Sequence, residues 1–149
     1  MTEWMRWTVV VGALVVSTAC VRTAYDYDGN YNGDLVRRYE SSLVSDEDTE
    51  TVDQGVSAVD SNTLRVEFES CPLEFKEEDP ETSSRSARYE LTPRSCTRDD
   101  QRHEFKDGFL RVNSDGELDY EVTGNFTDDR VLTLMPSGTF RWTFSGKRR

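Results

Sequence analysis

From about residue 29 onward the apolar side chains recur at every second position. Leu64, Val66 and Phe68 alternate with Arg65, Glu67 and Glu69, and Leu118, Tyr120 and Val122 alternate with Asp119, Glu121 and Thr123. Gly124 and Phe126 keep the second series in phase, and Phe140, Trp142 and Phe144 alternate with Arg141, Thr143 and Ser145. A period of two sends successive side chains to opposite faces of an extended chain, so each segment predicts a strand with one apolar and one polar face. Shorter stretches at 31–35, 52–58, 89–91, 103–105, 110–112 and 131–135 bring the expected number of strands to about eight or nine. Turn residues fall between them: Asp60-Ser-Asn62, Asp107-Gly108, Ser114-Asp115-Gly116, Asp128-Asp129 and Pro136-Ser-Gly138. Asp-Gly between alternating runs predicts a tight hairpin. The acidic run 45–50 and the polar run 76–86 read as solvated loops, and nothing past the leader reads as a long helix.

This pattern predicts an all-β fold, an antiparallel meander with one face buried. A small up-and-down barrel of eight or nine strands is the leading form, because closure removes the edge strands, and a β-sandwich is the alternative. With so many bulky rings aimed at one interior, side chains are expected to fill a barrel of that size rather than leave a large cavity.

The first twenty residues follow a different pattern. Trp7 to Val16 (WTVVVGALVV) is an apolar run, too short to span a bilayer as a helix, and Ser17-Thr-Ala-Cys20 closes it with small residues. This is the shape of a secretory signal cleaved at the Ala19–Cys20 bond. The same end resembles the lipobox of bacterial lipoproteins, in which small residues precede an obligatory cysteine. Thr18 and Ala19 fit that pattern, whereas Ser17 stands where the family usually has Leu or Val. The resemblance implies acylation of Cys20 and attachment to a membrane. Because Val21 is not Asp, it further implies outer-membrane delivery in a host with two membranes; a soluble secreted or periplasmic protein is the alternative. Removing Cys20 leaves Cys71 and Cys96, an even pair in an exported chain, which predicts one disulfide. The organisation expected is a signal over 1–19, an acylated Cys20 with a short tether to residue 28, and a single β domain over 29–149.

The chain has 149 residues, a formal charge of −11 and 35% apolar residues. The charge argues against a nucleic-acid partner, since phosphate neutralisation needs a basic surface. Three Trp, six Tyr and seven Phe argue against full disorder. Asp28-Gly-Asn30-Tyr-Asn32-Gly33 matches the first half of a calcium loop, but Tyr39 stands where a bidentate Glu is needed, so these residues read first as the start of a strand. His103, the single histidine, could act as a general base beside Glu104 or Glu121. No nucleophile stands in a recognisable context, however, and no phosphate-cradling loop or cofactor motif is present. The expectation is therefore a non-enzyme without a cofactor.

The opening Gly29-Asn-Tyr-Asn-Gly33 and the closing Phe140-Arg-Trp-Thr-Phe-Ser-Gly146 are loosely similar to small lipocalin-like barrels of bacterial lipoproteins, with Tyr31 in place of a Trp. That similarity implies pairing of the first strand with the last. Tyr89, His103, Phe105, Tyr120 and Trp142 are the candidates for lining a ligand site. The functional reading is a lipid-anchored envelope protein whose β domain binds or scaffolds an envelope partner. The alternative is a carrier of a small apolar ligand, and a third reading is a hydrolase using His103.

Overall fold

The computed structural model describes residues 22–68, 71–78, 86–98, 100–130 and 135–149. The leader, Cys20 and residues 131–134 of the strand predicted at 131–135 lie outside them. The described chain is a short 3₁₀ turn, Ala24–Tyr27, followed by nine strands: β1 Gly29–Glu40, β2 Ser45–Asp60, β3 Thr63–Val66, β4 Leu73–Glu77, β5 Ser86–Leu91, β6 Arg94–Arg98, β7 Gln101–Asn113, β8 Glu117–Asp128 and β9 Ser137–Arg148. They form one antiparallel sheet in the order β5-β4-β3-β2-β1-β9-β8-β7-β6, and pairing of β5 with β7 closes a ring of eight strands. The first strand pairs with the last, from Tyr31 opposite Arg148 to Glu40 opposite Thr139.

The alternation decides which face is inside. Leu118, Tyr120, Val122 and Phe126 of β8, Leu110 and Val112 of β7, and Phe140 and Phe144 of β9 are buried in one core with Tyr31 and Leu35 of β1. Burial of this apolar face is the dominant favourable contribution to the fold. Gly33 stands opposite Gly146 where β1 crosses β9, and a Cβ at Gly33 would lie 2.1 Å from the Ser145 carbonyl oxygen. The two backbones can approach so closely only without side chains there.

Two segments expected as loop or turn are strand instead. The acidic run at 45–50 is the first half of β2, not a loop. It is held by cross-strand ion pairs: Arg37 faces Asp48 at 3.2 Å and also reaches Glu50 at 3.1 Å, while Arg38 pairs with Glu47 directly opposite. Opposite charges across a ladder supply what apolar alternation supplies elsewhere. Asp107-Gly108 is likewise not a turn. β7 runs straight through it, with a bulge between Phe105 and Asp107 that shifts the register against β8. The turn at 114–116 is as predicted, with Gly116 at φ 77° and Asn113 Oδ1 accepting from the amides of Asp115 and Glu117.

The two ends of the ring differ. At one end the 3₁₀ turn packs as a plug, with Ala24 and Tyr27 buried, so the packed domain begins before residue 29. The Ala24 amide donates to Ser61 O at 2.9 Å, and the Tyr31 hydroxyl donates to Tyr27 O at 2.8 Å. Arg148 Nη1 donates to Asp26 O at 2.9 Å, and Nη2 donates to Asp28 O. At the other end the first half of β2 pairs with β1 alone and β6 pairs with β7 alone. A continuous six-stranded extension of the sheet, β2-β1-β9-β8-β7-β6, therefore rises past the ring, and the Cys71–Cys96 disulfide ties β6 to the segment ahead of β4, with Cα atoms 5.9 Å apart.

Candidate functional site

The inner face of this extension bounds a cavity of about 440 Å3 that opens to solvent. It is lined by His103 and Phe105 of β7, Trp142 of β9, Tyr39 of β1, Phe68 and the disulfide, with Arg37, Glu50, Arg98, Gln101 and Arg130 among them. The aromatic wall is continuous. Phe105 meets Phe140 edge to face at 5.0 Å between ring centroids and Trp142 at 5.3 Å, and His103 lies 5.3 Å from Phe140 and 5.4 Å from Trp142. Tyr39 stands edge-on to Phe126 at 5.3 Å. Phe68 rests against Trp142 and Tyr120, at 5.6 Å from each, and forms part of the floor.

Of the five residues predicted to line a ligand site, the structure brings His103, Phe105 and Trp142 together around the cavity. Tyr120 lies below it, stacked on Phe144 at 5.2 Å, and Tyr89 lies at the plugged end, edge-on to Tyr27 at 6.5 Å. The expectation of an interior filled by side chains holds for the plugged end and the middle of the ring, and the cavity occupies the end where the ladder does not close.

Polar groups of the cup converge near the Tyr39 hydroxyl. His103 Nε2 is 3.4 Å from it, and burial holds the imidazole below its ordinary pKa, so it is neutral at neutral pH. Burial raises the pKa of Tyr39, against the opposing influence of the Trp142 indole and of the Arg37 and Arg98 guanidinium groups. The Trp142 Nε1–H is buried yet has no hydrogen bond of good geometry, although it faces that hydroxyl. Arg37 shares the inner phase of β1 with Tyr31, Leu35 and Tyr39, and makes both of its ion pairs through Nη1. At the rim Asp128 is fully shielded, takes two hydrogen bonds from Arg130 Nε at 2.8 and 3.0 Å, and accepts another from Gln101 at 2.9 Å. The Arg130 bonds above all hold its carboxyl far below the usual range.

Neither carboxylate considered as a partner for His103 shares its face. Glu104 points outward and pairs with Arg102 at 3.2 Å, and Glu121 pairs with Arg141 at 3.7 Å on the outside of the ring. Asp28, Asn30 and Asn32 lie along the extended entry to β1, as the strand reading expects. Asp28 accepts from the Ala58 amide at 3.3 Å and Asn32 donates to Asp53 at 2.8 Å. Alternate positions of a strand are about 7 Å apart, so these oxygens do not converge as a calcium loop requires. Among the described residues no group of three His, Cys, Asp or Glu side chains is placed to hold a metal ion.

Sequence reasoning missed Tyr39, Arg37, Arg98, Gln101 and Arg130. Tyr39 had a signal, since it continues the phase of Tyr31 and Leu35 beyond the point where the strand was expected to stop. The arginines had none, because inward and outward charges look alike in an acidic chain. No known protein family, curated protein or solved structure matches the chain, so the chemistry of the cup itself carries the functional reading.

Proposed function

We propose that the protein is a non-catalytic binding protein of the cell envelope whose open cup takes a small ligand with an apolar body. The observation that carries this reading is the half-open, aromatic-walled cavity of about 440 Å3 at one end of an otherwise packed ring. Its size falls in the range of small-molecule sites, which are mostly apolar with a few placed polar groups. The lipobox-like end of the leader supports acylation of Cys20 and attachment to a membrane, with the Cys71–Cys96 bridge in keeping with an oxidising compartment.

Thermal unfolding of the full chain with 2-naphthylacetamide, a neutral aromatic probe, tests the binding reading. A ligand at ten times its Kd stabilises the folded state by about 1.4 kcal/mol, so Tm rises by several degrees. An unchanged Tm at millimolar probe, with the corresponding acid equally silent, overturns it. Intact mass of the membrane fraction tests the anchor: a chain beginning at Cys20 with acyl groups supports it, and an uncleaved mass removes it.

A further inference from the structure

We propose that the open edge of β2 at the cup end is a docking site for an extended, basic segment of a partner protein, which adds to the sheet as a further strand. This surface lies on the flank of the sheet extension and is independent of what occupies the cup.

The backbone supplies the site. β2 pairs with β1 without a register shift from Ser45 to Val56, whereas its pairing with β3 starts only at Val56. In an antiparallel ladder the N–H and C=O of one residue point to the same side, and that side alternates along the strand. Gly55 O accepts from the Glu67 amide on the β3 side, at 2.9 Å. Glu47, Thr49, Thr51 and Asp53 have the same parity as Gly55, so their N–H and C=O groups point away from β1. Those groups make no hydrogen bond among the described residues, and residues 45–51 are exposed. The result is about 20 Å of ladder with one side unused, on a strand already held extended by β1. Such an edge is a template for another strand, whose main-chain bonds supply affinity.

The side chains decide which strand is admitted. Asp46, Asp48 and Glu50 share the inner face with Tyr39, Arg37 and Leu35 directly opposite them, and Glu47 lies on the outer face, so an added strand meets carboxylates on both. Arg38 pairs with Glu47, and the single Arg37 is shared between Asp48 and Glu50. Four carboxylates against two guanidinium groups leave this edge negative with every ion pair made, in a protein whose formal charge is −11. A second copy pairing through the same edge would set carboxylates against carboxylates, and like charges directly opposite destabilise a ladder. Repulsion of acidic strands, its own included, leaves a basic strand as the guest, which is specificity by exclusion. The turn between β1 and β2 adds an apolar contact where the edge begins, with Leu43 83% and Val44 37% exposed.

The probe is the peptide Ac-Lys-Thr-Lys-Val-Lys-Thr-Lys-amide, with a counterpart in which every Lys is Glu, titrated into the full chain and read by fluorescence anisotropy. The basic peptide is expected to bind at least about tenfold more tightly than the acidic one. It should also slow hydrogen exchange at the amides of Glu47, Thr49, Thr51 and Asp53. Two N-methylated forms of equal charge separate strand addition from charge attraction. In one form the methyl groups sit on the alternate amides that face β2, and in the other on those that face away. One form is expected to bind like the parent and the other at least about tenfold more weakly. Thr49→Pro removes an outward N–H and none from the β1 ladder, and should weaken binding several-fold while Thr49→Val does not. Equal binding of the two methylated forms overturns strand addition, and equal binding of the basic and acidic peptides overturns the charge selection. Absence of binding by every peptide, or a dimer of the chain that excludes them, overturns the proposal.

Discussion

The hydroxyl of Tyr120 donates to Oε1 of Gln54 at 3.1 Å, joining β8 to β2 across the interior of the ring, 66 residues apart in the chain. Gln54 Nε2 then donates to Glu67 O at 2.6 Å. Both side chains are buried, so this relay is the polar tie between the packed middle of the ring and the segment that carries Phe68 into the floor of the cup.

Because the tie is buried, breaking one side leaves the other unsatisfied. Tyr120→Phe and Gln54→Met are each expected to cost about 1–3 kcal/mol in urea unfolding. The double variant should lose less than the sum, by about 1 kcal/mol of coupling. Additive losses would show that the hydrogen bond contributes nothing net.

The disulfide links residues separated by 25 positions, across the side of the cup where β2 and β6 do not pair. Closing a loop of that length contributes about 3 kcal/mol in the chain-entropy account. Cys71→Ser/Cys96→Ser is expected to lower Tm by about 10 °C, and reductant should do the same to the native protein. An unchanged Tm in the reduced protein would mean that the bridge constrains nothing.

At the crossing of β1 and β9 a single methyl group is enough to force the strands apart. Gly33→Ala would place Cβ 2.1 Å from Ser145 O and 2.4 Å from the Gly146 Cα, both backbone atoms. The expected loss is about 3 kcal/mol or more by chemical denaturation. Gly55→Ala on β2, whose Cβ would meet nothing nearer than 3.7 Å, is the control and should cost little.

His103 gives the stability a pH dependence of known sign. Its folded pKa is lowered by burial, so in acid the unfolded chain binds the proton first. This share of the stability is intact above the unfolded pKa of about 6.5, declines as pH falls through it, and levels off below the folded value. Denaturant midpoints at pH 7.5 and 5.5 should therefore differ more in the native protein than in His103→Phe. Equal differences would mean that the ring titrates as though exposed.

The strands with alternating apolar residues were legible because the alternation is the cause of their burial: Leu118, Tyr120 and Val122 are wholly or almost wholly inside, and Asp119 and Glu121 point out. The first half of β2 was not legible, since its inward positions are Asp48 and Glu50, matched by Arg37 on the neighbouring strand. A pairing between segments leaves no mark in either alone. β6 escaped for a related reason, as its ladder with β7 places Cys96 opposite His103 without any apolar alternation of its own. The Asp107-Gly108 bulge has the composition of a turn, and only the continuous ladder of β7 on both sides distinguishes them. Half of the cup could be read in advance because His103, Phe105 and Trp142 share the inner phase of strong strands. Tyr89 and Tyr120 share that phase too, and period alone does not tell which level of the ring a residue occupies.

If Cys20 is acylated as proposed, the plug at the closed end also sets which way the protein faces. Thr23, at the start of the 3₁₀ turn, is three residues from Cys20, a reach of about 10 Å at full extension. With Cys20 acylated as proposed, the closed end lies against the headgroups, and the C-terminal Arg148 and Arg149, which bond to the backbone of residues 26–30, lie on that side as well. β1 is 12 residues long, so a tilted strand of that length carries the mouth about 30 Å outward. On that proposed anchoring, a molecule entering the cup would come from the aqueous compartment and not from the leaflet that holds the anchor, and the protein would act as a receiver of dissolved cargo at a fixed height above its own membrane.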